Sequence, residues 1–179
     1  LQYPQRADSL DRLMLADGGA VSAARYPFAE AHEDFVAMVE ASGRSIGWSA
    51  ALAQSDGFLF FAVKDSAALP ETLLWMSNGG RDYPPWSGRH LAVLGIEEAA
   101  TSLHVCGELR GGTGESRVTG VTLGGDRRTE IRYAFGAVEA PAGWTRISGV
   151  SLAGGVLRLE DISGQSRSVP FDDGHFEGL

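Results

Sequence analysis

The chain has 179 residues, 44% of them hydrophobic and 21% charged, enough for one domain with a substantial core. A net charge of −8 argues against a nucleic-acid partner, because phosphate recognition needs a basic footprint. No apolar run reaches membrane-spanning length and no signal peptide is visible, so no membrane association is expected and a cytoplasmic location is.

The chain opens LQYPQRADSL without a methionine, which reads as a processed chain or a piece of a longer one. Residues 10–16 (LDRLMLA) allow one helical turn, stopped by Asp17-Gly18-Gly19. The AEAHED segment before Phe35 reads as a short helical turn or a loop. From Phe35 onward the pattern is β. Residues 35–39 are short and apolar, and Ile46 to Leu52 follows a Ser42-Gly43 turn. Phe58 to Val63 follows Asp56-Gly57, a hairpin signal. Thr72 to Ser77 and His90 to Glu97 are further strands, with a loop between them.

In the second half, Arg117 to Leu123 and Thr129 to Val138 read as a hairpin around Gly124-Gly125-Asp126. Thr129, Ile131, Tyr133 and Phe135 alternate with Glu130, Arg132 and Ala134, a period of two. Ile147 to Leu152 and Val156 to Ile162 form another hairpin around Gly154-Gly155, and a last strand lies near 168–171. The GGTGES stretch at 111–116 is a loop without the lysine and helix of a phosphate loop. Short strands separated by turn signals imply an all-β fold, an antiparallel sandwich or barrel, in a single domain.

The stretch 75–90, WMSNGGRDYPPWSGRH, combines two tryptophans, two arginines and a histidine with three glycines and two prolines. Pro and Gly exclude a regular helix or central strand, and long loops in compact domains usually carry function. Rigid aromatics beside planar hydrogen-bonding groups suit a polar, ring-shaped ligand. Trp86, in the polar loop, is the stacking candidate, whereas Trp75, inside a strand, reads as core. Asn78, Arg81 and His90 are candidate hydrogen-bonding groups, His90 also a candidate proton donor. The plainer reading is that Arg81 and Asp82 pair to brace the loop, and that His90 is structural.

Glu97 and Glu98 end an apolar strand, and successive strand residues face opposite ways. One glutamate therefore faces inward, where partial desolvation would suit a general base; the other faces solvent. The alternative is two solvated glutamates closing a sheet edge. His32, His90, His104 and His175 show no metal-ligand spacing. Ser87-Gly88 lacks the frame of a nucleophile elbow. Cys106, the single cysteine, permits no intrachain disulfide, which fits a reducing compartment. Lys64 is the only lysine, a bias that base composition explains.

The string LWMSNGGRDYPPWSGRHLAVLGIEE resembles the C-terminal half of galactose-mutarotase-like proteins, the aldose 1-epimerase superfamily, and more closely their aldose epimerase-like branch. The order agrees: His32-Glu33-Asp34-Phe35, then a hairpin, the SNGG loop and a Gly-Ile-Glu strand. The resemblance implies a large antiparallel β-sandwich of which this chain is a partial version. It implies acid–base interconversion of sugar anomers without metal or cofactor. By position, the family's glutamate base falls on Glu97 and a sugar-binding aspartate on Asp34. The family's catalytic histidine normally lies upstream of Asp34, where this chain is short, and neither His32 nor His90 matches it. The expected partners are a monosaccharide or sugar derivative, and either a second copy or a missing N-terminal half. The alternatives are a non-catalytic carbohydrate-binding module, a structural half-domain and a glycoside hydrolase using Glu97 with Asp34 or Asp82.

Overall fold

The computed structural model describes all residues except 4, 42, 102–119, 127 and 179. His104, Cys106 and the 111–116 loop therefore lie outside the described residues. Eleven strands and one 3-10 turn make up the regular structure, with no α-helix among the described residues. The strands are β1 (Leu13–Met14), β2 (Ala20–Val21), β3 (His32–Val39), β4 (Ile46–Ala53), β5 (Phe58–Asp65) and β6 (Glu71–Asn78). They continue as β7 (Val93–Ala99), β8 (Tyr133–Glu139), β9 (Ile147–Ala153), β10 (Val156–Asp161) and β11 (Ser166–Pro170). Among the described residues the strands pair antiparallel, with one isolated parallel bridge between His32 and Gly79, and the fold is all-β and sandwich-like. No helix among the described residues is long and apolar enough to cross a membrane.

The chain divides into two compact units, residues 1–39 with 71–117, and residues 40–70 with 118–179. The second unit holds two three-stranded sheets, β4-β5-β8 and β11-β10-β9. Alternation on β5 sends Leu59, Phe61 and Val63 to one face, where Leu157 and Leu159 of β10 meet them with Trp144 and Phe176. Each such fully buried side chain contributes about 1.5–3 kcal/mol by leaving water. Gly136 of β8 lies opposite Phe61, and a Cβ there would fall 2.9 Å from the ring. Lys64 points away from this core, is wholly buried, and pairs with Glu40 at 3.2 Å.

The first unit holds the β1-β2 ribbon and the sheet β3-β6-β7. Its core gathers Leu13, Ala23 and Met76, with Tyr26, Phe28, Val36 and Leu94 packed around them. Residues 10–16 do not form a helical turn. Gln5 instead holds Met14 extended, its side-chain oxygen accepting the Met14 N–H at 2.8 Å and its nitrogen donating to the Met14 carbonyl at 3.0 Å. His32, Glu33 and Asp34, which read as a turn or loop, already belong to β3. β8 begins only at Tyr133 and pairs with β5; residues 120–123 form no strand.

Candidate functional site

The register of β3-β6-β7 decides which side chains share a face. Glu33 lies opposite Ser77, Phe35 opposite Trp75, Trp75 opposite Gly95, and Leu73 opposite Glu97. These residues form the sheet face turned away from Met76 and the core. Trp75 stacks on Phe35 with ring centroids 6.3 Å apart and planes 13° from parallel. Gly95 leaves room for the indole: a Cβ there would lie 3.2 Å from Trp75 Cβ and 3.4 Å from Glu97 Oε1. Glu97 thus stands on the face of Trp75 and is solvent-exposed, not desolvated as its apolar strand implies. Glu98 faces the opposite way, where its Oε2 accepts the Thr72 hydroxyl at 2.6 Å.

The loop from Gly79 to Ala92 meets β3 through an isolated bridge between Gly79 and His32 and is closed on itself by backbone hydrogen bonds. Gly79 N–H donates to the His90 carbonyl at 2.6 Å and Gly88 N–H to the Arg81 carbonyl at 2.7 Å. Gly80 passes so close to β3 that a Cβ would fall 2.4 Å from the His32 carbonyl carbon. Arg89 closes the turn by donating its Nε to the Trp86 carbonyl at 3.1 Å and its Nη2 to the Pro85 carbonyl.

Arg81 is the centre of the arrangement. Its guanidinium carbon lies 5.1 Å from the Trp75 ring centroid and 5.0 Å from that of Trp86, a cation held against two indoles. Its Nε forms an ion pair with Glu33 Oε1 at 2.7 Å. Glu33 also accepts the Trp75 indole N–H on Oε1 and the Ser77 hydroxyl on Oε2 at 2.7 Å. Arg81 therefore braces the loop through Glu33 on β3, not through its neighbour Asp82. The His90 ring sits edge-on to both indoles, 5.5 Å from Trp75 and 5.0 Å from Trp86, with its Nδ1 enclosed and unpartnered among the described residues.

Glu97, Arg81, Trp86 and His90 are thus placed on or beside one sheet face, together with Trp75, which reads as core in the sequence but is only half-buried here. Asn78 is placed at the loop's base and its carboxamide is engaged with backbone: Nδ2 donates to the Ala29 carbonyl at 2.7 Å and Oδ1 accepts the Ala92 N–H at 2.9 Å. Asp34 lies on the opposite sheet face, buried, and accepts from the Leu1 nitrogen at 2.6 Å and the Tyr3 hydroxyl at 3.2 Å. Glu33, given no role in the sequence reading, is the missed residue. The period-two pattern that pairs Glu33 with Phe35 on one face was the available signal.

Among the described residues no three His, Cys, Asp or Glu side chains gather as a metal ion would need. Burial and the nearby Glu33 carboxylate push the Tyr26 hydroxyl up to about 12. No family model, curated protein or solved structure matches the chain.

Proposed function

We propose that this sheet face binds a free sugar, and that Glu97 promotes interconversion of its anomers as in the aldose 1-epimerase superfamily that the 75–98 string resembles. One observation carries the reading: an exposed carboxylate, Glu97, shares a sheet face with the Trp75–Arg81–Trp86 stack. Aromatic surface suits the apolar face of a pyranose, and guanidinium suits its hydroxyls.

In the reaction the Glu97 carboxylate removes the proton of the anomeric hydroxyl. The electron pair left on that oxygen forms the carbonyl, and the C1–ring-oxygen bond breaks. The ring oxygen keeps the bonding pair and takes up a proton from water, and the hydroxide so formed recovers that proton when the ring closes. Rotation about C1–C2 and the reverse steps give the other anomer, and Glu97 returns the proton. Well-placed acid–base groups are worth about 10²–10⁴-fold each.

Two-dimensional NMR exchange between the anomers of D-galactose and D-glucose tests this. The protein should accelerate exchange, and Glu97→Gln should lower the acceleration by about 10²-fold or more. An unchanged rate in that variant would sink the mechanism. A second reading, sugar binding without chemistry, is favoured by Asp34, the other carboxylate the resemblance assigns to the sugar, which faces away from Glu97. It predicts a calorimetric binding signal without accelerated exchange, weakened by Trp86→Ala.

A further inference from the structure

Glu33 sets how the Arg81 guanidinium can be used. Its carboxylate is ion-paired with the guanidinium on the Nε side at 2.7 Å, while the Trp75 and Trp86 rings lie 5.1 and 5.0 Å from the guanidinium carbon. The two terminal nitrogens have no partner among the described residues, and the side chain is 25% exposed. A fork of two parallel N–H donors is therefore left for a ligand. Such a fork accepts either a carboxylate or phosphate, or two neighbouring hydroxyls. The surrounding charge distinguishes these.

Glu33 already matches the Arg81 charge at 2.7 Å. Glu97 adds a carboxylate on the same sheet face, with no cation bonded to it among the described residues. Asp82 and Arg89, both exposed on the loop, offset each other in formal charge. Among Glu33, Glu97, Asp82, Arg81 and Arg89, three carboxylates stand against two guanidiniums, and an anionic ligand would enter against that excess. Two uncharged hydroxyls would not.

We infer that Glu33 is a positioning and specificity-determining residue, which aims the Arg81 fork at a vicinal diol and selects an uncharged sugar over an acidic one. The inference rests on the sugar-binding reading above. Removing the Glu33 charge leaves Arg81 unmatched and should turn the preference toward acidic sugars, an effect that mere loosening of the loop would not produce.

The test is calorimetry on the whole chain with D-glucose, D-galactose and D-glucuronate, for wild type, Glu33→Gln and Arg81→Lys. Glutamine keeps hydrogen-bonding capacity toward Trp75 and Ser77. Wild type should bind a neutral hexose about tenfold more tightly than glucuronate. Glu33→Gln should shift the glucuronate-to-hexose ratio by about tenfold or more toward glucuronate, and Arg81→Lys should weaken the neutral sugar by a similar factor. If wild type binds a neutral hexose but Glu33→Gln lowers both ligands equally, Glu33 is structural and this inference fails while the sugar reading stands. Preference of wild type for glucuronate overturns it as well. If no sugar binds wild type, both fail together. Should Glu33→Gln not fold, Glu33→Asp, which keeps the charge on a shorter stem, must retain the neutral preference or the inference fails.

Discussion

At the scale of single residues, Gly80 is held by geometry alone. Gly80 has no room for a side chain, because the obstacles at 2.4–2.7 Å are the backbone of His32 and the amide of Glu33, which cannot rotate away. Gly80→Ala should therefore push the loop off β3 and destabilise the protein by about 1–3 kcal/mol in urea titration. Tyr26 gives a pH-dependent signature. Its hydroxyl, up to about 12 in the folded state, holds a proton that the unfolded chain releases near 10. Stability is thus unaffected below pH 10 and falls between about 10 and 12. Tyr26→Phe should flatten that part of the stability curve. An undiminished alkaline loss in the variant would assign the effect to another group.

At the scale of elements, the hairpins follow turn chemistry visible in the chain. Gly154 and Gly155 both have positive φ, 62° and 78°, so β9 and β10 are joined by two residues of left-handed backbone. Gly155→Ala should cost about 1 kcal/mol there by thermal melting, and Gly154→Asn less. These strands, like β4 and β5, could be read because a period of two and a Gly-rich turn are local signals. The first strand pair could not. Residues 10–16 look helical in isolation, and the pairing of Leu13 and Met14 with β2, with the reach of Gln5 and Gln2 to the Met14 backbone, makes that pair extended. The site divided in the same way. Composition marked the 75–90 loop, and alternation separated Glu97 from Glu98. The partner of Arg81 escaped, because Asp82 is adjacent in sequence whereas Glu33 is brought near by the pairing of β3 with β6.

At the scale of the whole molecule, two cores coexist on one chain that passes between the units after residues 39, 70 and 117. The core of the second unit gathers more buried side chains among the described residues, with Leu157 and Leu159 fully enclosed. Leu159→Ala should lower the unfolding free energy by about 2–5 kcal/mol, measured by urea titration of tryptophan fluorescence. Lack of destabilisation would mean that this core does not support the fold. Neither unit is a continuous stretch of sequence, which is why no linker could be read from composition.

The clasp around Glu33 has a consequence for how the sheet finds its alignment. Antiparallel strands can slip, and a slip of one position exchanges the two faces of a strand. Were β3 displaced by one residue along β6, Asp34 would replace Glu33 above Trp75, and its shorter stem would have to reach the indole N–H, the Ser77 hydroxyl and Arg81 Nε at once. Phe35 would also leave its stacking partner and turn toward the core, while Val36 took its place. The indole N–H, the Ser77 hydroxyl and the Arg81 guanidinium around Glu33 therefore favour the observed alignment of β3 on β6 over the neighbouring frame.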